Sequence, residues 1–582
     1  MDQREHCRRV ALGLDPPTLL IENGRVFSPF TGEFIPADVV LCGSLIAGVG
    51  DYSNATTRTD AREETGPDRV IDAAGSYVLP GFIDAHVHPE TSLLSPPRFA
   101  EALAVHGITT ALAEPHEIVN LLGAAGIEFY LQARRGLPLD LRLMIPTTVP
   151  ASLFEQAHGS LDPAAIASFL TREGVSGLGE AMDYKGVISG AGSGLPSTLF
   201  GQTVLDGHAP DVSGRELAAY LAAGPNTDHE TSDPELLLER RRLGMWTLIR
   251  EGSAARDLER SLPFLVAYGT ERTALCTDDR NAAALAEHHH LDGVVAALIR
   301  GGVAPLDALR AVTVNPATLY RLYDRGSVTP GLQADLLVVD DPSFPHPRVV
   351  IQAGRVVARD GRLTIPLPAT PPLPASTFEV ALSRAEDLAP PAIDGPHWAR
   401  AINLVPRSLP TTERVVRLHA RHGRLQAAPN DDIALVALLE RDRKTGRMGR
   451  GLVSGLGLRR GAIATTIAHD AHHLLVTGID PHDMLTAARA VASSGGGLAV
   501  AEGGTVQTLP LPLAGLMADL PVATVGARLR ALESAAAALG VELEEPFMAL
   551  SFVSLSVIPR LRITLGGILD VEAQSVVPVL VE

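Results

Sequence analysis

"PGFIDAHVHPE" (residues 80–90) places two histidines, His86 and His88, at the end of an apolar run that begins at Ser76. The run is predicted to be a β-strand. Because alternate residues of a strand project to the same side, both imidazoles can bind one metal ion. A lone histidine in such a place is more often a hydrogen-bonded core or loop residue. This stretch by itself therefore indicates a metal site only weakly.

The composition limits the class of protein. The chain has 582 residues, of which 46% are hydrophobic and 20% charged, and this predicts a folded chain of two or more domains. The formal charge of −18 argues against general nucleic-acid binding, which requires clustered Lys and Arg. The three cysteines form no CxxC pair, and no segment reaches the about 18 apolar residues of a membrane-spanning helix. We therefore expect a soluble, cytoplasmic protein without nucleic-acid or membrane partners.

Short strands alternate with helical patterns between residues 78 and 325, as in "LRLMIPTTV" (141–149), "VSGLGE" (175–180) and "TALCTDD" (273–279). This alternation predicts an α/β fold with a (β/α)8 TIM-like barrel. A doubly wound open sheet is the alternative. The β-rich segments 18–77 and 326–365 are predicted to form one composite unit. A proline-rich linker is predicted at 366–410 and a C-terminal α+β domain at 411–582.

In such a barrel the functional groups stand at the carboxyl ends of the strands. Histidines and carboxylates do follow several apolar runs. Besides His86 and His88, these are Glu114, His116 and Glu117 in "EPHE", Glu180, His208, His229, Glu230, Asp278 and Asp279. Imidazole and carboxylate ligands suit zinc, manganese or iron(II), and a carboxylate between two ions commonly holds a pair. The ordered set predicts a metal site where one histidine would not.

The chain resembles a known family. "PGFIDAHVHPE" resembles the first-strand motif of the amidohydrolase superfamily. Further stretches resemble the bacterial adenine deaminase family within it, among them "GLGEAMDYKGVI", "NTDHE", "CTDDR" and "GLGLRRGAIATTIAHDAHH". The resemblance covers nearly the whole chain after about residue 18. It implies a metal-dependent hydrolase barrel, a small flanking β-sandwich and the C-terminal domain of these deaminases.

The resemblance also implies the ligands. Glu180 would bridge two divalent ions at a place where many relatives carry a carboxylated lysine, and Asp278 would be the late-strand aspartate. The ions would be Mn²⁺ first, with Fe²⁺ or Zn²⁺ as alternatives. The histidines would form one pair for each ion, His86 with His88 and His208 with His229.

The implied reaction is hydrolytic deamination of adenine to hypoxanthine and ammonia, in purine salvage. Metal lowers the pKa of bound water from about 15.7 towards about 7, so metal-bound hydroxide would attack C6. Asp278 would take the hydroxide proton and pass it to the departing amine. Glu180 would serve as ligand, as proton donor to a ring nitrogen, or both. We expect a homo-oligomer, with a dimer as the first guess.

Two other functions are weighed against this one. The first is another amidohydrolase that cleaves a cyclic amide or an N-acyl bond. A lysine at the strand end would favour it, but "GLGE" supplies Glu180 there. The second is an inactive scaffold of the same fold, in which lost ligands would be expected. All the implied ligands are present in the sequence.

Other polar groups are candidates for the substrate pocket or for the surroundings of the metal. These are Glu114, His116, Glu117, Arg250, Glu251, Ser253 and Asp279. Local hydrogen bonds or a helix cap would produce the same residue patterns. In the C-terminal region, "AHDAHHLL" holds His469, Asp470, His472 and His473, which fit either an active-site cover or structural histidines.

Overall fold

The first β-rich segment opens with a helix, α1 (Gln3–Ala11), that packs on the strands after it. The structure is a computed structural model and describes residues 3–581 apart from residues 54–68, 191–202, 254, 288–289, 374–377, 383, 407 and 444. The strands of this segment are β1 (Leu19–Ser28), β2 (Glu33–Cys42), β3 (Leu45–Gly50), β4 (Val70–Asp72) and β5 (Tyr77–Pro80).

Eight parallel strands follow in two sheets. One sheet holds β6 (Phe82–Val87), β7 (Ile108–Ala113), β8 (Asp140–Ile145), β9 (Val175–Ala181) and β10 (Val204–Gly207), and the other holds β11 (Thr227–Asp228), β12 (Trp246–Arg250) and β13 (Thr273–Cys276). The parallel sheet curls, since Asp278, after β13, forms a parallel bridge with Val87 of β6. The predicted α/β class is confirmed.

Helices connect these strands and cover them. They are α2 (Pro96–Ala104), α3 (His116–Leu122), α4 (Ala124–Ala133), α5 (Pro163–Phe169), α6 (Tyr184–Ser189), α7 (Gly214–Ala223), α8 (Pro234–Arg242), α9 (Leu258–Tyr268), α10 (Ala282–Glu287), α11 (Leu291–Arg300), α12 (Pro305–Arg310) and α13 (Val314–Leu319). Every residue of β6 and β7 is buried, as expected for parallel strands that are covered on both faces.

The chain then returns to the N-terminal sheet with β14 (Leu336–Val339), β15 (Pro347–Gln352), β16 (Arg355–Arg359) and β17 (Arg362–Leu363). β14 pairs antiparallel with β5, so a nine-stranded sheet contains strands from both sides of the barrel segment. Apolar side chains from both halves, among them Ile21, Val78 and Leu336, share one buried core. What the structure shows here is one continuous sheet in the place where a sandwich was predicted.

The linker predicted at 366–410 is only partly a linker, because its last part contains a β-strand. β18 (Gly395–Asn403) lies inside that range and pairs along its whole length with β19 (Thr412–Arg421). Ala399 and Ala401 of β18 are fully buried in the core of the C-terminal domain. This alternating burial makes the segment a strand of that domain, although prolines surround it in the sequence.

The C-terminal domain is built on a ten-stranded and a three-stranded sheet. The remaining strands are β20 (Arg424–Leu425), β21 (Ala434–Leu439), β22 (Met448–Ser454), β23 (Ala462–Thr465), β24 (Leu474–Gly478), β25 (Gly497–Glu502), β26 (Thr505–Pro510), β27 (Leu561–Thr564), β28 (Gly567–Asp570), β29 (Ser575–Val577) and β30 (Leu580–Val581), and the helices are α14 (Pro481–Ser493), α15 (Val522–Ala538) and α16 (Pro546–Ser551). Within the described ranges, no helix combines the length and apolarity required to cross a membrane.

The C-terminal domain docks directly on the barrel. Its helix α15 packs on α10, and a Cβ atom at Gly526 would lie 2.8 Å from the carbonyl oxygen of Ala282. Glycine is therefore needed for this close approach. Nearby, the hydroxyl of Ser95 donates to the carboxylate of Asp519 at 2.7 Å. These contacts hold the domain over the carboxyl ends of the barrel strands.

Candidate metal centre and substrate cleft

Four histidines and two carboxylates meet at the carboxyl ends of the parallel strands. They are His86 in β6, His88 just after it, Glu180 in β9, His208 after β10, His229 after β11 and Asp278 after β13. All six are at most 5% exposed. The structure thus brings together the six residues that were predicted as ligands, although up to 192 positions separate them in the chain (278 − 86).

Glu180 lies between the two histidine pairs. Its Oε1 is 3.2 Å from Nε2 of His86 and 3.1 Å from Nε2 of His88. Its Oε2 is 2.9 Å from Nδ1 of His208 and 3.5 Å from Nε2 of His229. One carboxylate therefore faces each pair with a different oxygen, which is the arrangement that bridging of two ions requires.

This donor set fits divalent metal ions. Nε2 of His86 and Nε2 of His88 are 3.1 Å apart, and Oδ1 of Asp278 is 3.1 Å from Nε2 of His88. Buried ligand atoms lie within 4.8 Å of one another in two groups, His86 with His88 and Glu180, and Glu180 with His208 and His229. A cation between such atoms satisfies their lone pairs, and imidazole with carboxylate is a usual ligand combination for first-row metals.

Glu114 contacts two members of the metal cage, which is the cluster of His86, His88, Glu180, His208, His229 and Asp278. Its Oε2 accepts the backbone N–H of Glu180 at 2.8 Å, and its carbonyl oxygen is 3.0 Å from Nδ1 of His88. A Cβ atom at Gly179 would collide with the Glu114 carboxylate, which explains the glycine before Glu180 in "GLGE". Burial raises the pKa of Glu114 to about 7. Glu114 is not among the side chains that line the cleft described below.

A buried arginine faces the carboxylates on the other side of the cage. Nη1 of Arg250 is 2.7 Å from Oε1 of Glu230 and 3.0 Å from Oδ2 of Asp278, and its Nε donates to Asp257 at 3.0 Å. Burial acts to raise the pKa of Glu230, but the Arg250 guanidinium and the imidazoles of His208 and His229 together outweigh burial and hold that pKa well below its usual range. Arg250 engages one oxygen of Asp278 and leaves the other to the cage.

A fully buried ion pair ties together the loops that carry the second histidine pair. Nε of Arg240 donates to Oδ2 of Asp228 at 2.6 Å, and Nη2 of Arg240 donates to the carbonyl oxygen of Ala209 at 2.7 Å. Oδ1 of Asp228 accepts the backbone N–H groups of Ala209 and Glu230. The pair therefore joins the loop after β10 to the loop after β11.

Replacing Arg240 by alanine is expected to destabilise the protein by about 3–5 kcal/mol, because the Asp228 carboxylate is left buried without its partner. Urea unfolding followed by circular dichroism should show a lower midpoint. Arg242, which is exposed on the same helix, provides the matched control, and R242A should unfold at the wild-type midpoint. An R240A protein that unfolds at the wild-type midpoint would contradict this role.

A second polar cluster joins the barrel to the C-terminal domain. His116 and Glu117 of α3 meet His469, Asp470 and His472 from the loop after β23. Oε1 of Glu117 is 2.5 Å from Nδ1 of His469 and 3.2 Å from Nε2 of His116, and its Oε2 contacts Nε2 of His472. Burial acts to raise the pKa of Glu117, but the imidazoles, that of His469 foremost, hold it well below its usual range.

The cage except His86 and the second cluster except His472 line one cleft, with about 370 Å³ of empty space including its open mouth. Glu230, Arg250 and Asp279 add to the polar side of this lining. The apolar side comes from the C-terminal domain and one barrel residue. These side chains are Met182, Leu409, Phe552, Leu555 and Ile558. The ring of Phe552 stacks on that of His469 with their centroids 4.6 Å apart. A cleft with one polar and one flat apolar wall suits a planar, nitrogen-rich ring.

Comparisons with known proteins match the chain to two family profiles. The profile of the amidohydrolase family matches residues 77–187 and 235–366, and that of the adenine deaminase C-terminal domain matches residues 408–575. Adenine deaminase 2 of Carboxydothermus hydrogenoformans is 39% identical over 574 residues, which cover 98% of both chains. The chain belongs to the adenine deaminase family.

Further relatives support this membership. The adenine deaminase of Nitratidesulfovibrio vulgaris strain Hildenborough is 40% identical over 573 residues, 97% of both chains. That of Methylobacterium nodulans is 39% identical over 577 residues, 98% of both chains. The family resemblance predicted from the sequence is confirmed, and the protein is a hydrolase of the metal-dependent amidohydrolase family.

The remaining predicted pocket residues fall into two groups in this deaminase-family cleft. Those that line it are His116, Glu117, Arg250 and Asp279. Glu251 and Ser253 do not line it. Glu251 accepts the backbone N–H of Leu258 at the start of α9, and the hydroxyl of Ser253 accepts the backbone N–H of Asn281. These two residues organise the loop after β12.

The sequence assigns no role to two parts of the cleft. Glu230 is one of the carboxylates that follow the apolar runs, and its Oε1 lies 3.3 Å from Nε2 of His229. Phe552 and its apolar neighbours resemble ordinary core residues, because an apolar pattern does not separate a cleft wall from a core. His473, in contrast, belongs to the same loop as His469 but does not line the cleft.

Proposed function

We propose that the protein is an adenine deaminase of purine salvage, which hydrolyses adenine to hypoxanthine and ammonia with two divalent ions at the mouth of a closed (β/α)8 barrel. One observation carries the proposal: Glu180 lies between two histidine pairs, in a cleft whose other wall belongs to the adenine deaminase C-terminal domain. Relatives named adenine deaminase over nearly their whole length support the choice of substrate.

The six clustered side chains are proposed as the ligands. His86 and His88 would hold one ion, His208 and His229 the other, with Glu180 between them. We propose Mn²⁺, and the same ligands suit Fe²⁺ and Zn²⁺. When bound, such ions supply a water that loses a proton near neutral pH.

Glu180 is proposed as a ligand and not as an acid. Its Oε1 is 3.1 Å from Nε2 of His88 and its Oε2 is 2.9 Å from Nδ1 of His208, so each oxygen faces one histidine pair. A carboxylate whose two oxygens both face cations has no oxygen left to carry a proton to a ring nitrogen. Of the two roles predicted for Glu180, the structure favours the first.

Asp278 is the proposed proton carrier. Arg250 engages its Oδ2 at 3.0 Å, while its Oδ1 lies 3.1 Å from Nε2 of His88 inside the cage. Asp278 would take a proton from the oxygen that attacks C6 and deliver it to the exocyclic amine. The amine then leaves as ammonia, which is a far better leaving group than the amide ion.

The competing enzymatic hypothesis is hydrolysis of a cyclic amide or an N-acyl bond. Many amidohydrolases of that kind would carry a carboxylated lysine where this chain has Glu180. Glu180 at this position therefore favours adenine over a cyclic amide or an N-acyl substrate.

Metal removal tests the proposal directly. Protein stripped with a chelator should not convert adenine, and reconstitution with two equivalents of Mn²⁺ per chain should restore formation of hypoxanthine and ammonia. Metal content is measured on the same samples by mass spectrometry. Protein with both ions bound that leaves adenine unchanged would refute the proposed function, and hydrolysis of hydantoin or dihydrouracil by that protein would favour the competing hypothesis.

A further inference from the structure

The second polar cluster contains an imidazole that is held at one nitrogen and unpartnered at the other. Nδ1 of His469 is 2.5 Å from Oε1 of Glu117. Nε2 of His469 is buried and has no hydrogen-bond partner in the described part of the chain. The same is true of Oδ2 of Asp470, the next residue. Both residues line the cleft, so two neighbouring residues of its wall each carry a buried polar atom without a partner.

The protonation of His469 makes its free nitrogen a donor. Burial disfavours the charged imidazole, but the carboxylates of Glu117, Asp279 and Asp470, that of Glu117 foremost, together outweigh burial and raise the pKa of His469 to about 9. The ring is then an imidazolium at neutral pH and carries a hydrogen on both nitrogens. A ligand in the cleft meets a donor at His469 and an acceptor at Asp470.

The cage and the second cluster line the same cleft, so a base with C6 at the cage can present its opposite edge to His469 and Asp470. C6 must lie at the metal cage, and N3 is the ring atom directly across the six-membered ring from C6. N9 is bonded to C4, next to N3. The far edge of the free base therefore presents an acceptor, N3, beside a donor, N9–H. In a nucleoside the N9 hydrogen is replaced by ribose.

We propose that His469 and Asp470 bind the N3–N9 edge of adenine, with Nε2 of His469 donating to N3 and Asp470 accepting the N9 hydrogen. The pair would restrict the enzyme to the free base, because a substituent on N9 removes the hydrogen that Asp470 accepts. Glu117 is then a positioning residue that acts through His469. This inference rests on the proposed function, since it starts from C6 at the ions.

A third metal ion is the competing explanation of the cluster. His116, Glu117, His469 and Asp470 offer ligand atoms that lie within 4.8 Å of one another. Coordination would use Nδ1 of His469, which already faces Glu117, and would leave Nε2 of His469 without a role in the wall of the cleft. Base binding uses the atoms that are unpartnered.

The test pairs a variant with a ligand analogue. Inhibition constants of hypoxanthine and of 3-deazahypoxanthine, which lacks N3, are measured with the wild-type enzyme and with H469A in the presence of adenine. Removing either partner of a hydrogen bond to a charged group should weaken inhibition by about 10–100-fold. Removing both should cost no more than removing one, because the same bond is lost. Losses that multiply would overturn the assignment of N3 to His469.

The proposed contact between Asp470 and the N9 hydrogen is tested with a base that carries a methyl group on N9. The wild-type enzyme should prefer adenine to 9-methyladenine, as measured by kcat/KM or by the inhibition constant of the methylated base. D470A should narrow this preference at least 10-fold, chiefly by its loss of affinity for adenine. A D470A enzyme with an unchanged preference would overturn the role of Asp470. H473A, which alters a buried histidine of the same loop outside the cleft, should keep the wild-type constants.

Two further readouts separate the explanations. Each variant should contain as much metal as the wild-type enzyme, and loss of an ion from H469A would overturn base binding in favour of a third metal site. Wild-type enzyme that binds both ions but does not deaminate adenine would refute the proposed function and this inference together. Wild-type turnover with multiplying losses in the analogue experiment would refute this inference alone.

Discussion

Replacing Asp278 by asparagine is expected to lower kcat for adenine about 10³-fold while both ions stay bound. The amide has the shape of the carboxylate and keeps one oxygen for the cage, but it cannot take up a proton. The oxygen attacking C6 would then keep its proton, and the amine would have to leave without one. Steady-state kinetics with metal analysis of the same sample measures both effects.

Asp257 provides the control for this substitution. It is the other aspartate that accepts from Arg250, at 3.0 Å from the guanidinium Nε, and it does not line the cleft. D257N should therefore lower kcat by less than about 10-fold, which bounds the cost of disturbing Arg250 alone. A D278N enzyme with wild-type kcat would show that the proton travels by another route. Loss of metal from D278N would make Asp278 chiefly a ligand.

Replacing Glu180 by glutamine is expected to reduce the metal content from two ions per chain to less than one and to abolish deamination, by more than about 10³-fold. Each carboxylate oxygen faces one histidine pair, at 3.1 Å from Nε2 of His88 and 2.9 Å from Nδ1 of His208. An amide presents hydrogens to one of the two pairs and removes the negative charge between the cations. One substitution therefore removes a ligand atom from one ion and the negative charge that holds both ions.

Thermal unfolding provides a second measurement for E180Q. A ligand that binds only the folded state stabilises it, by about 2.7 kcal/mol at a concentration of 100 times its Kd. Mn²⁺ should raise the unfolding temperature of the metal-free wild-type protein and have little effect on E180Q. E251Q is the matched control, since Glu251 is a neighbouring glutamate that caps α9 through Leu258 and does not line the cleft. An E180Q protein that binds two ions would contradict the bridging role.

The six cage residues could be predicted because each comes at or just after the end of a buried strand. In a parallel sheet these ends lie on one edge, so order in the sequence translates into proximity in space. Glu251 and Ser253 also follow a strand, β12, but they do not line the cleft. Their side chains accept hydrogen bonds from the backbone N–H groups of Leu258 and Asn281. The direction of a side chain in a loop depends on φ and ψ angles that residue types do not reveal.

The predicted linker shows what local composition does not reveal. Composition made residues 366–410 a proline-rich connection, but Gly395–Asn403 is a strand. The proline content is a local property of the segment and does not indicate which distant strands pair with it. The pairing that makes this segment a strand comes from β19, β22 and β30, and β30 lies about 180 residues away at the other end of the domain.

The sequence by itself determined the six residues that we propose as metal ligands, because ligand chemistry depends on residue type and strand ends follow from local hydrophobic patterns. Only the tertiary structure decided what faces the cage. Phe552 resembles any core residue in the sequence, and His469 could equally have been structural, but the docked C-terminal domain places both in the cleft. Long-range packing brings Glu117 within 2.5 Å of His469 across more than 350 positions of chain (469 − 117 = 352). No local pattern encodes such a contact, because its energy comes from burying two domains against each other.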